Sequence, residues 1–252
     1  MLENYIKEKR ENKEILLMTH IVIGYPDINT SYEIVRQMVS AGVDLMELQI
    51  PFSEPIADGP VILKANQEAL KKGITVSESI DFAFQVCKDF SIPFLFMSYY
   101  NIMFKYGVKK FAAKMHEIGL QGAIVPDLPP EEGAEYLTAM KELELDPIFI
   151  FSPTSTEERL QYINQNASGF IYCVARRGVT GSKTNFSKEL DEYLKRCRKA
   201  TTLPLAVGFG VKEKADVDFL KGKADIAVVG TETIRIMEEK GVPSIKDFIK
   251  SL

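Results

Sequence analysis

The sequence predicts an α/β protein folded as one closed (β/α)8 barrel, or TIM barrel, with a short extra helix at its N-terminus. Three observations lead to this prediction: a length of 252 residues, eight short apolar runs that alternate with amphipathic stretches, and no GxGxxG motif after the first run. A barrel of this kind takes about 250 residues, whereas a doubly wound dinucleotide-binding sheet would carry the glycine motif. We therefore treat residues 1–252 as a single domain.

The eight apolar runs are the predicted strands. They lack the strict alternation of a half-exposed strand, which is typical of parallel strands covered on both faces. In chain order they span 16–22, 44–49, 93–98, 122–127, 147–151, 169–174, 204–208 and 225–230.

The stretches between the strands have the spacing of amphipathic helices. Three of them carry a residue pair with the spacing of a capping box, which predicts where each helix begins. These pairs are Thr30 with Glu33, Thr75 with Glu78, and Ser155 with Glu158. The extra helix is expected within residues 1–13.

The bulk composition excludes several functional classes. A net charge of -4 and a pI near 5.5 argue against nucleic acid or an anionic membrane as the main partner. The three cysteines, Cys87, Cys173 and Cys197, have no CxxC spacing, which favours a reducing compartment. The charged start MLENYIKEKR does not resemble a signal peptide, and no apolar run approaches the ~20 residues of a membrane span. We expect a cytoplasmic protein.

A barrel places its site at the C-terminal ends of the strands. No lysine lies in the C-terminal half of a predicted strand, which disfavours a Schiff-base aldolase. His20 is the one histidine near that face, and a single histidine makes a poor metal site, so we expect no metal. Two interpretations of His20 stay open: a packed barrel residue or a side chain that faces substrate.

The stretch MELQIPFSEPIADGP, residues 46–60, holds the main candidate acid. Strand alternation puts Glu47 and Gln49 on one face and Leu48 on the other, so Glu47 points into the mouth of the barrel. A carboxyl group there must be hydrogen-bonded or partly protonated, as suits a general acid–base. The alternative is a structural carboxylate paired with a basic residue. Asp44, at the beginning of the same strand, is expected to be structural.

Asp58 lies in the loop after that strand, beside Gly59-Pro60 at the start of the next predicted helix. It could be a helix cap or a functional acid, and both interpretations stay open. Pro51 and Pro55 restrain the loop backbone.

Glycines follow the last two strands, as Gly208-Phe209-Gly210 and Gly230-Thr231. Backbone N–H groups and a helix N-terminus at this place bind phosphate in many barrels, although turn geometry is the alternative. The basic, glycine-punctuated loop 175–185 after the sixth strand has the character of a lid that closes over an anionic substrate.

With these residues assembled, the whole chain resembles the alpha subunits of tryptophan synthase. The motifs that carry the resemblance are PFSEPIADGP (51–60), VPDLPPEE (125–132), GVTG (178–181) and VGFG (207–210). The resemblance implies a lyase of tryptophan biosynthesis that cleaves indole-3-glycerol phosphate to indole and glyceraldehyde 3-phosphate by retro-aldol chemistry, without a cofactor. It also implies a pyridoxal-phosphate beta subunit as partner, in an α2β2 complex.

The resemblance assigns a role to each candidate residue. Glu47 matches the general acid–base, Asp58 the aspartate that binds the indole N–H, and Tyr172 a tyrosine close to the acid–base. The substrate-binding positions are Tyr99, Thr180, Gly181, Phe209, Gly210, Gly230 and Thr231, of which Thr180 orients the aspartate and the last five bind phosphate. Pro51, Glu54 and Pro55 match the partner-facing loop.

Several positions depart from the pattern of these subunits. Gln49 replaces a glycine, and we expect it to add bulk near the reacting ring; Glu54 replaces an aspartate on the partner-facing side. Tyr25, Ile102 and the pair Thr231-Glu232 also differ. Two alternatives to an ordinary alpha subunit therefore stay open: a lyase that acts alone, and a weakly catalytic barrel that mainly binds and activates a beta subunit.

Overall fold

The protein is described by a computed structural model that covers residues 2–174, 188–208 and 210–252. Eight parallel strands, each paired with its neighbour in sequence, form a closed barrel in which β8 returns to β1. The (β/α)8 prediction is thereby confirmed. The strands are β1 Leu16–Val22, β2 Leu45–Gln49, β3 Phe94–Met97, β4 Gly122–Ile124, β5 Asp146–Phe151, β6 Ile171–Val174, β7 Leu205–Gly208 and β8 Ile226–Val229.

Helices surround the barrel and fill the segments between strands. Among the described residues none of them has both the length and the apolar surface needed to cross a membrane. They are α1 Leu2–Arg10, α2 Ile28–Ser40, α3 Pro60–Lys71, α4 Val76–Asp89, α5 Tyr100–Tyr106, α6 Val108–Glu117, α7 Ala134–Glu142, α8 Glu157–Asn166, α9 Lys188–Ala200, α10 Lys214–Leu220, α11 Thr231–Lys240 and α12 Pro243–Lys250, with a 3-10 turn at Pro130–Glu132.

The predicted extra helix is α1, and it closes the N-terminal end of the barrel. Its apolar residues Leu2 and Ile6 are buried and pack with the inward-facing side chains of the strands. The backbone N–H of Leu2 donates to the Asp146 carboxylate at 3.0 Å. Because this end is plugged, only the opposite, C-terminal end is left to admit a ligand.

Asp44 ties α1 and the following segment to the barrel wall. Its carboxylate accepts from Leu17 N–H at 3.0 Å and pairs with Lys13 Nζ at 2.7 Å. Its carbonyl accepts from the Tyr5 hydroxyl. Asp44 is structural, as the sequence predicts.

The inner face of β2 is the one that carries Glu47. Leu45 belongs to the cluster inside the barrel, whereas Leu48 packs in the layer between strands and helices. With a period of two, Glu47 and Gln49 share the inner face with Leu45. The predicted orientation of β2 is confirmed.

The predicted helix starts are right at one position and shifted at two. Thr75 and Glu78 form the expected capping box at the start of α4. For α2 the cap is Asp27, which accepts from Thr30 N–H at 2.9 Å, and for α8 it is Thr156, one residue beyond Ser155. In both helices a neighbouring residue with a side-chain acceptor competes for the same role.

Candidate active site

The register between β1 and β2 brings His20 beside Glu47. The two residues are directly paired across the strands and both point into the barrel, where they are 5% and 3% exposed. His20 Nδ1 lies 2.9 Å from Glu47 Oε2. The basic partner of Glu47 is thus a histidine rather than an arginine or lysine.

Gln49 extends this contact into a chain of hydrogen bonds. Its Oε1 lies 2.8 Å from His20 Nε2, and its Nε2 donates to Asp58 Oδ2 at 2.6 Å. The Tyr99 hydroxyl donates to the same Asp58 oxygen at 3.1 Å. Five side chains from β1, β2 and the loops after β2 and β3 therefore form one connected polar cluster inside an apolar barrel.

The other oxygen of the Glu47 carboxyl group is not engaged by the polar cluster. Glu47 Oε1 is buried and has no hydrogen-bond partner among the described residues. A buried acceptor without a partner costs about 1–3 kcal/mol, and native proteins seldom keep one without a use for it. This oxygen is the atom that can exchange a proton with a bound molecule.

Tyr172 belongs to the same cluster. It lies in β6 with 8% exposure, and burial, followed by the charges of Glu47 and Asp58, raises its pKa well above 10. It is consequently a protonated phenol at neutral pH. The structure brings all three predicted catalytic residues, Glu47, Asp58 and Tyr172, to one place at the C-terminal end of the barrel.

The polar cluster has opposing effects on its titratable members. Burial raises the pKa of Asp58, while the charge of His20 and the hydrogen bonds from Gln49 and Tyr99 act against that rise. Burial lowers the pKa of His20, but the hydrogen bond and charge of Glu47, with help from Asp58 and Gln49, raise it above 6.5 overall. The two acids therefore stabilise the protonated form of His20 against the effect of burial.

Asp58 is not the cap of α3. The cap position is Gly59, without a side-chain cap bond, and Asp58 turns instead toward Gln49 and Tyr99. Tyr99 holds this loop in place, since its hydroxyl accepts from Ala57 N–H at 3.1 Å and its ring stacks on Phe52 with centroids 5.0 Å apart. Of the two interpretations of Asp58, the structure thus excludes the helix cap.

The predicted phosphate-binding residues are only partly described. Gly230 precedes the first residue of α11, Thr231, and a Cβ placed on Gly230 would lie 3.5 Å from the His20 Cβ. Gly210 follows β7 with φ of 144°, a conformation that favours glycine. The loop after β8 therefore borders the polar cluster. Thr180, Gly181 and Phe209 lie outside the described residues.

The loop from 51 to 58 presents only some of its residues to solvent. Pro51 and Pro55 are buried, whereas Glu54 is exposed and Ile56 is 70% exposed. Phe104 in α5, after the next strand, is 68% exposed. Two large apolar side chains, one on a loop and one on a helix, thus lie exposed at the same end of the barrel as the polar cluster.

The sequence leaves the role of His20 open and predicts only added bulk at Gln49; it does not predict the hydrogen bonds that join His20 to Glu47 and Gln49 to His20 and Asp58. Gln49 does share a face with Glu47, but its amide is fully buried and bound between His20 and Asp58, so it supports the acids. The alternation of β1 places His20 on an inner face. The register that pairs His20 with Glu47 follows from barrel closure and is not readable from either strand alone.

Comparison with known proteins agrees with this geometry. The family model described as tryptophan synthase alpha chain matches residues 6–250. The tryptophan synthase alpha chain of Syntrophotalea carbinolica is 64% identical over 252 residues, which is the full length of both chains.

Solved structures give the same answer. A tryptophan synthase structure from Mycobacterium tuberculosis superposes with a TM-score of 0.94 at 31% identity, covering 100% of this chain and 96% of that one. A tryptophan synthase complex from Pyrococcus furiosus gives a TM-score of 0.86 at 28% identity, covering 94% and 97%. The chain belongs to the tryptophan synthase alpha chain family.

Proposed function

We propose that this chain is a carbon–carbon lyase that cleaves indole-3-glycerol phosphate to indole and glyceraldehyde 3-phosphate. The observation that carries the proposal is the Glu47 carboxyl group, which is 3% exposed, with one oxygen held by His20 and the other without a partner among the described residues. One carboxyl group placed in this way can both give and take a proton, as this reaction requires.

The proton movements balance within the site. Glu47 protonates C3 of the indole ring, which leaves a positive charge shared with the ring nitrogen. The resulting Glu47 carboxylate then takes the proton from the adjacent glycerol hydroxyl. As the aldehyde C=O forms, the carbon–carbon bond breaks and its electron pair returns to the ring, so that indole and aldehyde leave and Glu47 is again protonated.

Asp58 stabilises the charge that develops on the ring. Its Oδ2 is occupied by Gln49 and Tyr99, which leaves its second oxygen to accept from the indole N–H. A fixed acceptor in a water-poor site stabilises such a charge more strongly than bulk water does. Tyr172, a buried phenol beside both acids, completes the wall around the reacting carbon.

The phosphate group of the substrate lies at the loops after β7 and β8. The uncapped N-terminus of α11 at Gly230 and Thr231 and the turn at Gly210 support this assignment, because free backbone N–H groups attract an anion. By resemblance Gly181 and Phe209 join them, and Thr180 orients Asp58.

The partner we propose is a tryptophan synthase beta subunit, in an α2β2 complex. Support comes from the exposed side chains of Ile56, in the loop after β2, and Phe104, in α5, and from the related Pyrococcus furiosus structure, which is a complex. Glu54 is exposed on the same loop, with Pro51 and Pro55 buried behind it. We place the reaction in the cytoplasm, where Cys87, Cys173 and Cys197 stay free thiols.

Release of indole from indole-3-glycerol phosphate, measured with and without added beta subunit, tests the proposal. We expect slow unaided cleavage that the beta subunit accelerates. High turnover that the beta subunit leaves unchanged would indicate a lyase that acts alone. Activation of the beta subunit without any cleavage would indicate a binding role, and would contradict the proposed chemistry.

A further inference from the structure

We propose that His20 is a positioning residue that shares one proton with Glu47, with its tautomer fixed by Gln49 and Asp58. The contacts that carry the inference are His20 Nδ1 to Glu47 Oε2 at 2.9 Å and His20 Nε2 to Gln49 Oε1 at 2.8 Å. The kinetic consequence of this arrangement rests on the proposed function, whereas the arrangement itself can be tested without any substrate.

Asp58 sets the orientation of the Gln49 amide. The Gln49 atom that lies 2.6 Å from Asp58 Oδ2 donates to it and is therefore the NH2 group. The reverse orientation would bring two acceptor oxygens together at that distance. With its NH2 group committed to Asp58, Gln49 presents its carbonyl oxygen to His20, and this oxygen can only accept.

Gln49 in turn fixes the tautomer of His20. Because Gln49 Oε1 accepts, His20 Nε2 must carry a hydrogen whether the ring is neutral or cationic. When the ring is neutral, Nδ1 has no hydrogen and can only accept from a protonated Glu47 Oε2. When the ring is cationic, Nδ1 donates to an ionised Glu47. One proton thus moves along a single line between His20 Nδ1 and Glu47 Oε2.

This shared proton leaves the second carboxyl oxygen for the substrate. Glu47 Oε2 is held by the imidazole in both arrangements, and Oε1 has no partner among the described residues. The proton that Glu47 exchanges with the substrate is therefore a second one, carried on Oε1 while the cationic imidazole donates to Oε2. The imidazole fixes the plane of the carboxyl group and stabilises its ionised form each time the Oε1 proton has been given away. No oxidant, reductant or further reactant is needed, because the proton only moves between two neighbouring atoms.

The surroundings explain why a basic partner is needed here. Glu47 from β2 and Asp58 from the next loop place two acids in one buried site, and the phenols Tyr99, from the loop after β3, and Tyr172, from β6, face it. Within the described ranges His20 is the titratable base in this cluster. Two unbalanced carboxylates would repel each other at low dielectric, and a cationic His20 offsets that repulsion.

Nitrogen NMR of the histidine rings tests the arrangement directly. The chain has two histidines, so a His116→Gln variant assigns the signals of uniformly 15N-histidine-labelled protein. We expect His20 Nε2 to stay protonated from pH 5 to 9, while Nδ1 alone titrates, with a midpoint above the ordinary value of about 6.5. A neutral ring that carries its hydrogen on Nδ1, or a midpoint below that value, would overturn the proposal.

Variants extend the test to the network and to catalysis. Glu47→Gln should lower the midpoint of His20, and Gln49→Leu should let the neutral ring populate both tautomers. For His20→Gln we expect kcat to fall roughly 10- to 100-fold, as for loss of a charge-assisted hydrogen bond, with KM changed much less and the pH profile of kcat altered. A shift of KM alone would indicate a merely structural role.

The two proposals fail in different ways. If the chain does not cleave indole-3-glycerol phosphate but His20 shows the expected tautomer, the proposed reaction is wrong and the shared proton stands. If cleavage occurs and the wild-type NMR signals show the other tautomer, the inference about His20 is wrong and the reaction stands. The NMR measurement uses the unmodified chain apart from assignment, so a variant that fails to fold does not affect it.

Discussion

Gly208 in β7 lies directly against the side chain of Tyr172 in β6. A Cβ placed on Gly208 would be 2.4 Å from the Tyr172 hydroxyl oxygen and 2.5 Å from its ring. Real side chains do not approach so closely, and both neighbours belong to the barrel wall. The absence of a side chain at position 208 is what leaves room for the tyrosine ring near Glu47 and Asp58.

Gly208→Ala should therefore displace the Tyr172 ring. We expect the free energy of unfolding to fall by about 1–3 kcal/mol, as for other overpacked cores, and kcat to fall because the tyrosine moves away from the acids. Urea unfolding and steady-state kinetics measure the two effects. Gly133→Ala is the matched control, because its Cβ would meet nothing closer than 3.5 Å; equal effects in both variants would contradict the argument.

Glu47→Gln should abolish most of the turnover while the fold persists. General acid–base help contributes about 10²–10⁴ in rate, so we expect kcat to fall by at least about 100-fold with little change in KM. Glu54→Gln, assayed like the Glu47 variant without added beta subunit, is the control, since Glu54 lies in the following loop and is exposed. Unchanged turnover in the Glu47 variant would remove the basis of the proposed mechanism.

Asp44→Ala should destabilise the barrel without altering the polar cluster. The side chain is 4% exposed and holds both Leu17 N–H and Lys13, so its loss should lower the free energy of unfolding by about 2–4 kcal/mol. Lys13→Met removes only the half-exposed partner and should cost less than about 1 kcal/mol. Urea titrations of both variants compare them, and similar losses would show that the Leu17 bond matters little.

The fold could be predicted from the sequence because every strand is covered on both faces. Such strands are continuous apolar runs, and β1 and β5 end at the predicted residues, Val22 and Phe151. The capping residues are harder to predict from the sequence. At the start of α2 both Asp27 and Thr30 offer a side-chain acceptor, and at the start of α8 Thr156 follows the predicted Ser155, so only the backbone geometry selects the cap of each helix. Local patterns therefore fix the elements more firmly than their first residues.

The acids of the polar cluster could be predicted from the sequence, but the hydrogen bonds that connect them could not. Glu47 faces inward by alternation within its own strand, and one strand is enough to show that. The bond from His20 depends on the register of β1 against β2, and the bond from Gln49 depends on how the loop carrying Asp58 folds back. A side chain that looks like added bulk in sequence can therefore be a bridge once the barrel closes.

The stability contributed by His20 should depend on pH. Its pKa is raised above 6.5 in the folded protein, so the folded state holds the proton more tightly than the unfolded chain does. The contribution is then fully present below about pH 6.5 and is lost as the pH rises through the folded pKa. Urea unfolding of wild type and His20→Gln between pH 6 and 9 should show the difference between them shrinking toward high pH; a constant or growing difference contradicts this.

Phe104→Asp should weaken binding of the beta subunit while unaided cleavage of the substrate persists. Phe104 is 68% exposed on α5, after β3, at the end of the barrel that holds the polar cluster. A large apolar side chain held open to water is favourable chiefly when a partner covers it, and aspartate adds a charge that such an interface must desolvate.

Calorimetric titration with the beta subunit measures the effect, and we expect the dissociation constant to rise at least about tenfold, corresponding to about 1.4 kcal/mol. Phe84→Asp is the matched control, since Phe84 is 51% exposed in α4, on the outer ring of helices. Equal weakening by both variants would show that the effect comes from altered folding or net charge. If Phe104→Asp does not weaken binding, the partner surface does not include α5. Weakening confined to Phe104→Asp would locate the partner surface at α5, at the same end of the barrel as the loop that holds Asp58.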